Sequence, residues 1–315
     1  MNEQAVLQRI FKGSTGMGPG VVIGPGDDMA LLRPEGWKFP SDRSGGGGGV
    51  LLAVDQVVEG VHFDRSTAEL VAIGYKAMAR CLSDVAAMAG RPVASLVSAV
   101  LPPGMSEDEA MDLFEAMRAT GDRFHAPIVG GDLSVHRNES HPLTCSVTVM
   151  AEATGLGVVS RFGAKEGDLV CVTGQLGGSL ASGRHLTFQP RIGESIMLRA
   201  VLGERLHAMI DLSDGLGIDA ARMLEPDPSL QIEVDAECIP KHDGVDWRAA
   251  VSDGEDHELL CLVDGSDLPE QLLDCRFTPV GRVVPRPDHE SSAAVVVVAE
   301  GVRHDIASLG WEHRG

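Results

Sequence analysis

Strand-length apolar runs alternate along the whole chain with stretches of helical periodicity, which restricts it to sheets layered with helices. In the first half, Val50 to Val54, Val93 to Leu101 and Leu143 to Ala151 read as strands. The last of them alternates Leu143, Cys145, Val147 and Val149 with Thr144, Ser146 and Thr148. Two helical stretches lie between them. Ser106 with Glu109 three positions on has the capping-box pattern, and Ala110, Leu113, Phe114 and Met117 follow on one face. The earlier stretch, about Ala68 to Ala89, puts Leu70, Ile73, Ala77 and Met88 on one stripe. The second half repeats the alternation, with strands expected at Leu169 to Val172, Met209-Ile210, Leu230 to Val234, Glu258 to Val263 and Ala293 to Val298. Helices are expected near Glu194 to His207 and Gly215 to Leu224. Both halves are therefore α/β. A shift of composition at Thr154 to Val158 divides the chain into domains of residues 1–153 and 154–315, and 315 residues suffice for two. Gly45 to Gly49, after polar Ser41 to Ser44, reads as a flexible loop without chemistry of its own.

Lys and Arg number 26 against 46 Asp and Glu, a formal charge of −20, which repels nucleic acid and anionic lipid. The most apolar run, Ala293 to Ala299, is far too short for a membrane span, and Met1 to Phe11 lacks a signal-peptide core, so a cytoplasmic location is expected. The six cysteines form no CxxC and are expected to be buried thiols. There is no Walker A spacing, because Gly16 to Gly20 lacks a following Lys, and neither GxSxG nor HExxH occurs.

The chemistry points to aspartates. Val50 to Val54 runs into Asp55, Pro127 to Gly131 into Asp132, and His207 to Ile210 into Asp211, so three strands are expected to end on carboxylates, where α/β sheets bind ligands. Asp27, Asp28 and Asp214 add to the set, although turn chemistry or helix capping explains many such residues, Asp214 before Gly215 especially. Asp84 is harder to dismiss. It lies within about 20° of Ala77 and Ile73 on the helical wheel, hence on the apolar face. A carboxylate there is costly unless it is paired or bound to metal; a salt bridge to Arg80 one turn back is the bland alternative. Converging carboxylates repel one another without cations, and all-oxygen ligation favours Mg²⁺.

Gly26-Asp27-Asp28-Met29-Ala30, Asp55-Gln56-Val57-Val58-Glu59-Gly60-Val61-His62, Gly74-Tyr75-Lys76-Ala77 and Leu82-Ser83-Asp84-Val85-Ala86 resemble the thiamine-monophosphate kinase family. Gly130-Gly131-Asp132, Arg161-Phe162-Gly163, Asp211-Leu212-Ser213-Asp214-Gly215 and Gly254-Glu255-Asp256-His257-Glu258 continue the likeness in order over nearly the whole chain. The resemblance implies an aminoimidazole ribonucleotide synthetase-like fold of α+β type, with an N-terminal sheet-and-helix domain that dimerises through its sheet. It implies ATP-dependent, Mg²⁺-assisted transfer to thiamine monophosphate, giving thiamine diphosphate without a phosphoenzyme, in a homodimer. Asp28, Asp55, Asp84, Asp132, Asp211 and Asp214 match the family's magnesium positions, with several ions implied. Gly131, Asp132, Arg161 and Ser213 match nucleotide-binding positions, and His62, Glu255 and Trp311 match the substrate side. A cationic thiazolium and an aromatic pyrimidine both suit an aromatic face such as Trp311, which equally suits a packed C-terminal anchor.

The chain departs from the family pattern at Ala53 and Val54, where hydroxyl residues are usual, at Leu133 for Thr, and at His257 for Tyr. A side-chain oxygen for one magnesium is thereby missing, while the aspartate framework is whole. Two alternatives stand beside the kinase: another ATP-dependent enzyme of the superfamily with a different acceptor, and a non-catalytic nucleotide- or metal-binding relative.

Overall fold

A computed structural model describes the chain except residues 1–2, 15–16, 38–47, 139, 266, 288–291 and 312–315. The glycine-run loop falls largely there, with Gly45 to Gly47 outside the described residues. The first half comprises α1 (Glu3–Gly13), β1 (Val21–Ile23), β2 (Ala30–Leu32), β3 (Val50–Val58), α2 (Leu70–Ala87), β4 (Gly90–Leu101), α3 (Glu107–Arg123), β5 (Ile128–Val135) and β6 (Thr144–Ala153). Its six strands form one sheet in the order β1-β2-β3-β6-β4-β5, antiparallel except for the β4–β5 pair.

The period of two in β6 decides which face is covered. Cys145, Val147, Val149 and Ala151 are buried, while Thr144, Ser146, Thr148 and Met150 face the other way. Val54, Leu96 and Met150 lie on that second, open face with 65%, 47% and 36% of their surface exposed. The covered face packs on α2, which also contacts the second half of the chain, so one helix lies between the two sheets. Gly74 lets α2 approach α3, because a Cβ there would stand 2.5 Å from the Leu113 carbonyl oxygen. The α3 capping box forms as expected: Ser106 Oγ accepts from the Glu109 N–H at 3.2 Å, and Glu109 accepts from the Ser106 N–H at 2.7 Å.

The second half comprises β7 (Leu169–Thr173), α4 (Ser179–Ser182), α5 (Ile192–Leu202), β8 (Leu206–Asp211), α6 (Leu216–Met223), β9 (Leu230–Asp235), α7 (Trp247–Ser252), β10 (Leu259–Val263), β11 (Gln271–Leu272), β12 (Cys275–Pro285), β13 (Val295–Ala299) and β14 (Val302–Asp305). Its sheet runs β14-β13-β9-β12-β7-β10-β8, with β11 paired to β12, and only β9–β13 is parallel. The central strands read as unbroken apolar runs because both faces are buried. Cys171, Met209 and Cys261 join the core of the first half, whereas Val170, Val172, Ile210 and Leu260 pack under α6 and α7.

The strand ends differ from expectation. Asp55 lies within β3, which pairs with β6 from Val50 opposite Glu152 to Val58 opposite Thr144, and Asp132 lies within β5. A carboxylate side chain does not interrupt a satisfied backbone ladder, so only Asp211 ends its strand. The helix expected to reach His207 stops at Leu202, before Gly203 at φ +56°, and β8 starts at Leu206. The long strand β12 escaped the sequence pattern because Pro279 and Gly281 interrupt it at a register shift. Five cysteines are buried free thiols, while Cys238 is exposed. Among the described residues no helix is long and apolar enough to cross a membrane.

Candidate functional site

The loop before β2, the buried face of α2 and the end of β8 deliver Asp28, Asp84 and Asp211, with one carboxylate oxygen from each within 4.8 Å of the others. Asp27 sets the first of them. Its Oδ1 accepts from the N–H groups of Asp28 (2.9 Å) and Arg161 (3.2 Å), and its Oδ2 accepts from Ser160 Oγ at 2.5 Å. Arg161 pairs with Asp28 Oδ1, and Asp28 Oδ2 is buried with no hydrogen-bond partner among the described residues. Ser83 Oγ donates to Asp211 Oδ2 at 2.6 Å.

Burial, against the opposing pull of Arg161 and with the help of Asp211 and Asp27, pushes the Asp28 carboxyl up to about 8. Burial and then Asp55, Asp211 and Asp28 push Asp84 well above the carboxylate range. Burial also raises Asp211, but the His257 hydrogen bond and charge, Ser83 and Arg161 outweigh it and bring Asp211 below its ordinary value. Three carboxyls, Asp211 buried and Asp28 and Asp84 partly so, all-oxygen donors and an unpartnered Oδ2 fit a hard divalent cation such as Mg²⁺, whose charge would favour ionising Asp28 and Asp84.

The other aspartates stand differently. Asp55 borders the triad beside Arg80, its Oδ2 3.7 Å from Nε, and Arg80 also reaches Glu255 at 3.4 Å. No salt bridge joins Arg80 to Asp84, so the bland alternative for Asp84 does not form. Asp214 pairs with Arg222 at 2.6 Å. It does not cap α6: the cap position is Gly215, and Asp219 accepts from the N–H groups of Asp214 (3.0 Å) and Gly215 (3.1 Å) from inside the helix. Asp132 is exposed beside Ser98 on the open face, three strands or about 14 Å from the Asp55 row. Gly131 has a packing reason of its own, since a Cβ there would fall 1.8 Å from the Val97 carbonyl oxygen. Val54 points to the open face, so a hydroxyl at that position would not reach the triad.

On the substrate side, Glu255 is held by Lys76 Nζ at 2.9 Å, by Arg80 and by His257 Nε2 at 3.3 Å. Burial raises its carboxyl, but His257, Arg80 and Lys76 more than reverse this and hold it far below its ordinary value. Glu255 (φ +57°) and His257 (φ +50°) occupy the left-handed region, a strained loop fastened by the Glu255 N–H to the Ser213 carbonyl at 2.7 Å. His62 is buried, its Nδ1 accepting from the Val58 N–H at 3.0 Å. Trp311 is joined through its backbone N–H to the Asp214 carbonyl at 2.8 Å. His257, in place of the usual Tyr, stacks on Phe188 with centroids 4.0 Å apart and sits 3.3 Å from Asp211 Oδ2, joining the triad to Glu255. Sequence reasoning missed Lys76, Arg80 and His257 as members of this network, and with them His185, whose Nδ1 meets Lys76 Nζ at 2.8 Å. For Lys76 and Arg80 a signal existed, because both share the buried side of α2 with Asp84.

Two sheets enclose a helix, with a carboxylate cluster at their junction, and residues 26–153 match the family described as AIR synthase related protein, N-terminal domain. The thiamine-monophosphate kinase of Rhodopirellula baltica is 34% identical over 300 residues, covering 90% of each chain, and that of Bacillus subtilis is 30% identical, covering 93% of this chain and 94% of the other. The solved structure of AaThiL complexed with AMPPCP and TMP superposes with a TM-score of 0.80 at 25% identity, covering 99% of this chain and 97% of that one. The chain belongs to the thiamine-monophosphate kinase family.

Proposed function

We infer that the protein is a kinase that transfers the γ-phosphoryl group of ATP to the phosphate of thiamine monophosphate, giving thiamine diphosphate and ADP. The Asp28, Asp84 and Asp211 cluster carries this reading, since a chain of charge −20 needs bound cations to attract two phosphate-bearing substrates. Asp28, Asp84 and Asp211, with Asp55 and Asp214 at the margin, would hold Mg²⁺. Bound there, magnesium supplies the neutralisation of phosphate charge that phosphoryl transfer requires.

The chain's own residues orient the reactants. Arg161, pinned by Asp27 and Asp28, offers a planar fork of donors to the nucleotide phosphates. Ser213 belongs to the nucleotide side. His62, Glu255 and Trp311 receive thiamine monophosphate, and Glu255 is kept ionised by Lys76 and Arg80. Residues 1–153 act as the nucleotide, magnesium and dimerisation domain, and residues 154–315 complete the site. The open sheet face with Val54, Leu96 and Met150 is assigned to a cytoplasmic homodimer. Gly131 and Asp132, which lie on this sheet away from their own triad, are assigned to the site of the other protomer.

The test is direct. Purified protein with ATP, Mg²⁺ and thiamine monophosphate should yield a species of thiamine diphosphate mass. ATP binding without that product would overturn the kinase reading in favour of the non-catalytic relative.

A further inference from the structure

Lys76 is fully buried on α2, and its ammonium has three partners: the His62 carbonyl oxygen at 2.7 Å, Glu255 Oε2 at 2.9 Å and His185 Nδ1 at 2.8 Å. An ammonium has donors only, so the His185 Nδ1 that meets it must be the acceptor, and a neutral imidazole then carries its proton on Nε2. His62 is fixed the same way, its Nδ1 accepting from the Val58 N–H. The ammonium thus meets the ring of His185 and the backbone carbonyl of His62. His185 comes from a short 3₁₀ segment, Arg184–Leu186, that opposes α2 from the other half of the chain, and it is half-buried rather than enclosed. Among the described residues, no hydrogen-bond partner meets its Nε2.

We propose that His185 is a binding residue for the heteroaromatic part of the acceptor, donating a hydrogen bond from Nε2 to a ring nitrogen, and that Lys76 is the residue that positions it. This rests on the kinase reading above and adds a residue to its acceptor side. The ring is favoured over the phosphate by position. His185 is separated from the carboxylate triad by a run of contacts, Asp211 to His257 (3.3 Å), His257 to Glu255 (3.3 Å), Glu255 to Lys76 (2.9 Å) and Lys76 to His185 (2.8 Å). The phosphate belongs at the triad end, where cations gather. At the other end, past the stacked pair of Phe188 and His257 along the run, stands an uncharged N–H, which suits a ring nitrogen. Burial, with Lys76 and His257 reinforcing and Glu255 opposing, brings the His185 imidazole down to about 4, so the neutral donor persists through the physiological range.

The test uses the full-length protein. His185→Phe keeps a ring and removes the donor; KM for thiamine monophosphate should rise about tenfold, the size of one hydrogen bond, with KM for ATP and kcat within roughly threefold. His185→Gln, which restores an N–H, should recover much of that loss. In Lys76→Met, nitrogen NMR of the His185 ring should show its titration moving from about 4 toward the ordinary histidine value of 6.5, together with the same selective rise in acceptor KM. His185→Phe carries the decision should Lys76→Met fail to fold. An unchanged acceptor KM in His185→Phe, or a parallel loss for both substrates and kcat, overturns the proposal while the kinase reading stands. A wild-type protein that makes no thiamine diphosphate overturns both.

Discussion

Replacing Asp28 by Asn should make the metal-free protein more stable and the enzyme inactive. Its carboxyl sits at about 8 against an ordinary 3.8, chiefly through burial. A group whose folded pKa is raised destabilises nothing below the unfolded value; its cost grows as pH rises and levels off above the folded value. Between 3.8 and pH 7 the cost is about 4 kcal/mol, at about 1.4 kcal/mol per unit. Asn retains the shape, and its amide oxygen still accepts from Arg161, so that cost is what the substitution removes. For 315 residues, about 4 kcal/mol corresponds to a rise in Tm of roughly 6 °C. Thermal melts in EDTA should show this rise at pH 7, a larger one near pH 8 and none near pH 4. Saturating Mg²⁺ should close most of this gap, because binding at about 100 times Kd stabilises the wild type by about 2.7 kcal/mol and the variant by much less. Turnover should fall by at least about a hundredfold. A variant less stable than the wild type in EDTA at pH 7, or one that gains equally from Mg²⁺, would refute the reasoning.

Glu255→Gln leaves the buried Lys76 and Arg80 without their shared carboxylate; urea titration should show a loss of about 3 kcal/mol, and steady-state kinetics a raised KM for thiamine monophosphate. Gly131→Ala forces a methyl against the Val97 carbonyl and should cost about 1–3 kcal/mol by urea titration, whatever its effect on nucleotide affinity. Val54→Lys places a charge on the open sheet face, and light scattering should find the molecular mass halved relative to the wild type. Persistence of the wild-type mass would remove that face from the dimer assignment.

What could be read from the sequence divides along physical lines. Period-two alternation located β6, and the wheel position of Asp84 announced a buried carboxylate, because both are local regularities. The convergence of Asp28, Asp84 and Asp211 rested on the family likeness, since no local rule brings a loop, a helix and a strand end together. The separation of Asp132 from that cluster was hidden because β6, the last strand of the first half, inserts between β3 and β4. His185 gave no sign at all. Its role depends on an ammonium 109 positions away in sequence.

Helix α2 carries Lys76 toward Glu255 and Asp84 toward the aspartates, eight residues apart, or about 12 Å along the axis. Wedged between two sheets, it cannot stretch or slide, so it works as a gauge bar. On the proposed reading a molecule must span that interval with its flat head and charged tail to engage both ends, and length itself becomes a criterion of selection.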